Sequence, residues 1–235
     1  MLAPLILVFL TGASYAAAYA IGAPLLVPIL NTLPALPFMW RPLGNGHADL
    51  AIARMLVWAA ALGASATLLS YARPSETAQL FIHGDAYRRE MFAWVATGIG
   101  AESSPRQFLP IHAAHAVIFA LLSLGSASVL SMLMGAALMN YMGHFVGALA
   151  ASSARPGLTM ALAWVPWSLV RIVSFVTLGV VLAGPMLSRV RQVPFALRDH
   201  RATIALALGG LVVDVTMKWL LAPTWQQILR RVVGW

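Results

Sequence analysis

The 235-residue chain contains no cysteine and very little charge. The missing cysteine excludes disulfides, thiolate metal sites and a thiol nucleophile. Charged residues make up 9% of the sequence against 60% for hydrophobic residues, and the mean hydropathy is +0.82. Such a composition exceeds what a water-soluble domain can bury. We therefore predict an integral membrane protein, an all-α polytopic bundle that forms one domain over residues 1–235.

Acidic residues are the scarcest charged class, seven against fifteen lysines and arginines, which gives a net charge of +8. The basic residues lie mostly in short connections between apolar runs. Anionic lipid headgroups, rather than nucleic acid, are the expected partner there. The arginines divide almost evenly between the two sides of the predicted bundle, so the positive-inside rule assigns no orientation.

Apolar runs long enough to cross a hydrocarbon core of about 30 Å occur six times. The predicted spans are 3–30, 50–72, 112–132, 134–153, 158–184 and 203–222. The connection over residues 31–50 contains three prolines and two aromatic residues, and we expect it to lie along one membrane surface. The longest polar segment, residues 73–110, is predicted to form a broken amphipathic helix at the interface that ends at Gly98 and Gly100.

Besides Arg54, which is expected near the interface, three charged residues fall inside predicted spans. A charge near the bilayer centre costs about 2.5–3.5 kcal/mol and needs a partner. If the last two spans are antiparallel, Arg171 and Asp214 differ in depth by about 3 Å, which predicts a buried pair. Lys218, one turn further along the same face, is expected to compete for that carboxylate. The cluster either locks two helices or lines a path for an ion or a headgroup. Pro166 is predicted to kink the helix before Arg171 and is a hinge candidate.

Three histidines raise the question of a metal centre. His112 and His115, spaced i, i+3, share one helical face at the start of the third span. A hairpin that turns near Leu133 would place His144 about 15 Å further along the helix axis, which argues against a shared metal ion. Only a turn within residues 125–128 would bring the three level, and its first arm would then be too short to span. We therefore predict no metal and no other cofactor.

A polar patch interrupts the fourth span within "GAALMNYMGHFVGALA", residues 135–150. Gly143 and Gly147 form a small-xxx-small step, which lets helix backbones approach closely. Asn140 and His144 lie i, i+4 beside that face, and an interhelical hydrogen bond from Asn140 would contribute about 0.6 kcal/mol. The patch is interpreted as a set of helix-packing contacts, with a polar site as the alternative.

Three segments within about residues 105–225 follow one another in a suggestive order: "LMNYMGHFVG", "VPWSLVRIVSFVTLGVVLA" and "VVDVTMKWLLAP". In this order of spans the chain resembles the stage II sporulation protein M family of bacterial polytopic membrane proteins. Acidic positions of that family fall here on Arg171 and Lys218, so no acidic function is carried over. The resemblance implies a bacterial inner (cytoplasmic) membrane and a protein partner, since members are regarded as cell-wall remodelling scaffolds or companions of ABC-type exporters.

The sequence contains no H-E-x-x-H, G-x-S-x-G or Walker-type motif. The leading hypothesis is a non-enzymatic membrane subunit, a scaffold or permease-like component that works with partner subunits or a second copy. The second hypothesis is a small secondary transporter or channel that uses Arg171, Asp214 and Lys218. The third is a metal-dependent membrane enzyme built around the three histidines and Asp214. A water-filled cavity that reaches Asp214 would favour the second hypothesis.

Overall fold

The computed structural model describes residues 2–192 and 194–235, and these residues form helices without any strand. The helices are α1 (Leu2–Ile21), α2 (Leu26–Thr32), α3 (Leu36–Gly44), α4 (Ala48–Ala72), α5 (Pro74–Leu80), α6 (Gly84–Thr97), α7 (Pro105–Ser126), α8 (Val129–Ala151), α9 (Pro156–Ala163), α10 (Pro166–Arg191) and α11 (Arg201–Val233). Within the described residues, six helices are long and apolar enough to cross a membrane: α1, α4, α7, α8, α10 and α11. The predicted all-α polytopic bundle of about six spans is confirmed.

Helices α4 and α8 form the centre of the bundle. A Cβ atom on Gly147 would lie 2.7 Å from the backbone nitrogen of Tyr71 and 2.8 Å from the Cβ of Ser70. A Cβ on Gly143 would likewise clash with the side chain of Ala66. Only glycine at these two positions allows the two backbones to approach so closely. Both glycines therefore serve helix packing.

The outer surface of the bundle is apolar. Large side chains on the spans are exposed, among them Phe9 on α1, Leu121 on α7 and Leu206 on α11. A water-soluble monomer rarely exposes such continuous apolar surface. Lipid tails are the solvent that suits these faces.

The first span is shorter than the predicted 3–30. Helix α1 stops at Ile21, Gly22 adopts a φ of +68°, and α2 then turns back into the bundle. The Asn31 side chain in α2 donates to the hydroxyl of Ser14 at 2.8 Å and accepts from Asn140, in the middle of α8, at 3.1 Å. Helix α2 thus forms a re-entrant segment, and the predicted surface connection is wrong at its start, whereas Trp40 on α3 lies at the end of the bundle beside the turn between α7 and α8. Polar partners within the bundle make this possible, because irregular backbone at membrane depth must be buried in protein.

The hairpin of α7 and α8 also differs from the prediction. Its turn falls on residues 127–128 rather than near Leu133, and both turn residues have positive φ, 48° and 65°. Helix α7 already begins at Pro105, so it is long enough to span despite the early turn. His112 consequently lies inside the span and not at its start.

The fifth predicted span, 158–184, consists of two helices. Helix α9 ends at Ala163, Val165 has an extended ψ of 141°, and Pro166 begins α10. Proline suits this first position because an N–H group there has no partner within the helix. The kink predicted at Pro166 is therefore a complete helix break, and the spanning helix runs on to Arg191.

The segment before α7 is folded onto one end of the bundle. Helices α5 and α6 and a 3₁₀ turn over Ala101–Ser103 contact α8 and α11. Helix α6 ends at Gly98, which has a φ of +75°, as the sequence predicts. The side chain of Gln226 on α11 donates to the carbonyl oxygen of Val95 at 2.6 Å. These contacts hold the 3₁₀ turn, with Glu102, against α11.

Candidate binding cavity

A cavity of about 610 Å³ lies between α7, α8, α10 and α11, and residues of α3 and α4 line its far end. Its walls are mainly apolar and aromatic, and they include Met55, Trp58, Phe119, Met139, Phe175, Val176 and Leu211. Gly135 also lines it and has only the Phe119 ring, 3.9 Å away, near its missing Cβ. The volume falls within the range of about 300–1,000 Å³ that small-molecule sites occupy.

The cavity opens sideways, between α7 and α11. Ile111 on α7 and Val212 on α11 both line the cavity, yet 49% and 67% of their surfaces remain exposed. The backbones of these two helices hardly approach each other, although the side chains of Phe108 and His112 on α7 reach α11. Both helices are long and apolar enough to cross a membrane, so the opening lies between two candidate spans.

The predicted pair of Arg171 and Asp214 is present in the cavity wall. Nε of Arg171 donates to Oδ2 of Asp214 at 2.8 Å, and Nη2 donates to Oδ1 at 2.9 Å. This fork geometry is the strong form of a charge-assisted contact. The Asp214 side chain is only 1% exposed, whereas that of Arg171 is 27% exposed. The guanidinium group is therefore the part of the pair that the cavity can reach.

Lys218 pairs with a different carboxylate from the one predicted. Its Nζ donates to Oε1 of Glu102 at 2.7 Å and lies 4.6 Å from the centre of the Phe108 ring. The expected competition for Asp214 is wrong, because the 3₁₀ turn brings Glu102 to α11. The side chains of Lys218 and Glu102 are 1% and 14% exposed. Arg171 and Lys218 thus each pair with an acid of their own.

His112 stands next to the Arg171–Asp214 pair. Its Nδ1 lies 2.9 Å from the carbonyl oxygen of Phe108, and since a carbonyl only accepts, Nδ1 carries the proton. Nε2 has no hydrogen-bond partner among the described residues and lies 3.8 Å from Oδ2 of Asp214. His115, one turn on, also lines the cavity.

His144 faces away from this cavity. Its Nδ1 lies 3.2 Å from the hydroxyls of both Thr77 and Ser70, on the side of α4 and α5. The early hairpin turn brings His112 and His144 to similar depth, so the predicted 15 Å separation along the axis is wrong. The two histidines are separated instead because His112 lines the cavity and His144 faces α4 and α5. The described residues include no group of three His, Asp or Glu side chains that could hold a metal ion. The metal-enzyme hypothesis therefore lacks the convergence it requires.

Asn140 belongs to a buried polar network that joins α1, α2 and α8. The hydroxyl of Tyr15 donates to Oδ1 of Asn140, whose Nδ2 donates to Asn31. The indole of Trp58 donates to the carbonyl oxygen of Asn31 at 3.0 Å. With every member bonded, this network fixes the re-entrant segment and presents no free group to a ligand.

Sequence reasoning did not identify Glu102 as a member of the site. One signal was present: a lysine within a span needs a carboxylate, and the chain has only seven acidic residues. Asp214 was the sole acid inside a predicted span, and its pairing with Arg171 left Lys218 without a partner. Asp49 and Asp199 lie in connections on the opposite side of the predicted bundle from the Lys218 end of the last span, so an acid of the polar segment 73–110 was the remaining choice.

No protein-family model, no curated protein and no solved structure matches this sequence. Function is therefore argued from the geometry and chemistry of the cavity.

Proposed function

We propose that this protein is a non-enzymatic, permease-like membrane protein that takes a small amphipathic molecule from the bilayer into the cavity between α7, α8, α10 and α11. One observation carries the proposal: an apolar cavity of about 610 Å³ opens between two candidate spans, α7 and α11, and is lined by the Arg171–Asp214 pair. Apolar walls suit the hydrocarbon part of such a molecule, and a few convergent polar groups fix its orientation. This function combines the permease-like hypothesis with the charge cluster expected of a transporter.

The state of the charged groups supports binding over catalysis. Asp214 and Glu102 are each held by a cation, and neither carboxylate is placed as a base beside a nucleophile. Intramembrane charges that face a cavity typically mark the path of a substrate or an ion.

The setting of this activity is also a proposal. The resemblance to the stage II sporulation protein M family supports the inner membrane of a bacterium and a complex with partner subunits. The excess of basic residues at the ends of the spans supports contacts with anionic headgroups.

The test replaces an alanine that lines the cavity by tryptophan, whose side chain would occupy part of the cavity volume. Ala116 on α7 lines the cavity, whereas Ala114 on the same helix is exposed and does not line it. We expect Ala116→Trp to weaken the binding of oleate, oleyl alcohol and oleylamine to protein in zwitterionic nanodiscs, as measured by native mass spectrometry. Ala114→Trp is the matched control and should leave binding unchanged. Equal binding by both variants, or no binding of any probe to the wild type, would refute the proposal.

A further inference from the structure

We infer that the cavity recognises an anionic head group, a carboxylate or a phosphate, and that Arg171 supplies the hydrogen bonds that select it. This inference rests on the proposed function, because it names the class of amphiphile that the cavity binds. A small anionic amphiphile would place its chain among the apolar walls and its head at the guanidinium group.

The free edge of Arg171 carries the argument. Arginine has five N–H donors in a rigid fork. Asp214 occupies the edge formed by Nε and Nη2, and Nη1 has no hydrogen-bond partner within the described part of the chain. The end formed by Nη1 and Nη2 therefore still offers N–H groups. Since Arg171 retains 27% of its side-chain surface and Asp214 only 1%, it is the donors that the cavity presents.

Asp214 serves as a positioning residue in this arrangement. Its carboxylate balances the charge of Arg171, so the guanidinium group is stable in the membrane while the cavity is empty. It also fixes the plane of the guanidinium group. The edge formed by Nη1 and Nη2 is then oriented to donate two hydrogen bonds to a second acceptor. A carboxylate or a phosphate matches that edge, whereas an alcohol accepts without charge and an ammonium group cannot accept.

The other charged groups of the cavity do not offer an equal alternative. Lys218 is 1% exposed and held by Glu102, so it is not available to a ligand. Glu90 lines the cavity, is exposed, and has no ion-pair partner among the described residues. It would be the counter-ion of a cationic amphiphile, but an exposed charge contributes little because solvent screens it. Glu90 thus provides the competing prediction that the experiment must separate.

The experiment compares four single-chain probes that differ in their heads: oleate, oleoyl lysophosphatidate, oleyl alcohol and oleylamine. Binding to the full protein in zwitterionic nanodiscs is measured for the wild type, Arg171→Lys, Glu90→Gln and the double variant Arg171→Gln with Asp214→Asn. The double variant replaces the ion pair by a neutral pair, which avoids a lone buried charge. Thermal unfolding of each variant establishes that it is folded.

We expect the wild type to bind at least one of the two anions about tenfold more tightly than the alcohol, the lower end of what hydrogen bonds to charged groups contribute. In the double variant this preference should fall to about twofold or less, while the affinity for oleyl alcohol is retained. Arg171→Lys should lose part of the preference, since an ammonium group makes no bidentate contact. Whichever anion binds more tightly identifies the head group as carboxylate or phosphate.

Two results would overturn the inference and leave the proposed function intact. One is tighter binding of oleylamine than of oleate, abolished by Glu90→Gln. The other is a preference for the anions that persists in the double variant. Failure of all four probes to bind the wild type, or equal binding by Ala116→Trp and Ala114→Trp, would instead overturn the proposed function itself.

Discussion

Replacement of Arg171 by glutamine should destabilise the bundle strongly. It leaves the carboxylate of Asp214 at 1% exposure without the donors that now lie 2.8 and 2.9 Å away. Removal of one partner from a buried pair typically costs about 3–5 kcal/mol. The neutral His112 ring with its proton on Nδ1, 3.8 Å from the carboxylate, offers no donor from Nε2. We therefore expect the free energy of unfolding to fall by about 3 kcal/mol or more.

Replacement of Asp214 by asparagine should cost less. The guanidinium group left behind is 27% exposed to the cavity, so it can recover part of its solvation there. A hydrogen bond to a charged group contributes about 1.5–3 kcal/mol, and an asparagine oxygen retains one acceptor. The double variant has no lone charge and should be more stable than Arg171→Gln alone. The two substitutions should thus be non-additive, with a coupling energy of about 2 kcal/mol.

The assay is reversible unfolding of the reconstituted wild type, the two single variants and the double variant. Arg198 and Asp199 supply a matched control pair, because they lie 3.7 Å apart but are 89% and 69% exposed. The same neutral substitutions there should change stability by about 0.5 kcal/mol or less. If the effects of the two substitutions in the cavity simply add within about 0.5 kcal/mol, the pair is not a buried unit and the reasoning is refuted.

Three further predictions follow from packing, titration and access. Gly147→Ala should cost about 1–3 kcal/mol, because its Cβ would meet the α4 backbone, whereas Gly125→Ala, with nothing within 4 Å, should cost nothing in the same unfolding assay. Asp85 lies outside the spans, and its pKa is lowered by a hydrogen bond from Arg88 and by the charges of Arg88 and Arg89. Its contribution to the free energy of unfolding is therefore present at neutral pH and is lost as the pH falls through the lowered pKa. Asp85→Asn should therefore cost up to about 1 kcal/mol at pH 7 and progressively less below about pH 4, and a pH-independent difference would contradict this. Cysteines at Ile111 and Val212, joined by a bifunctional reagent, should block oleate binding in this otherwise cysteine-free chain, whereas unchanged binding would place the entrance elsewhere.

Regular helices explain why the contact between Arg171 and Asp214 could be predicted. Both residues lie in long spans that share one connection, so counting residues from that connection gives their depths at 1.5 Å per residue. The cost of an intramembrane charge then limits the choice of partner. The same counting failed for Lys218, because its partner, Glu102, is 116 positions away in a short 3₁₀ turn. Periodicity carries no information on how such a turn is folded back.

The hairpin turn and the re-entrant segment were missed for local reasons. A turn within residues 125–128 is disfavoured in the sequence because it leaves a first arm, counted from residue 112, that is too short to span. Ala127 and Ser128 also adopt positive φ, which neither residue type favours. The predicted third span begins after Pro110, whereas α7 begins at Pro105 and contains Pro110 in its second turn. In the first connection, prolines indicated a loop, but Asn31 finds polar partners on two spans and is held inside the bundle. Such partners depend on tertiary packing and are not visible in one sequence.

The two ion pairs tie α11 to its neighbours in the cavity wall. Asp214 and Lys218 lie one turn apart on α11, so one pair ties α11 to α10 and the other ties it to the segment that carries Glu102. Helix α7 takes part in neither of these two pairs, and its outer face is largely exposed. Near its start, however, Phe108 and His112 lie beside Lys218 and Asp214, and the turn that carries Glu102 directly precedes the helix. We therefore expect a displacement of the part of α7 beyond His112 to widen the opening between α7 and α11 without separating either pair of charges. Entry by this route leaves the guanidinium group fixed by Asp214 while its free edge meets the arriving head group, so selection and access are assigned to different helices.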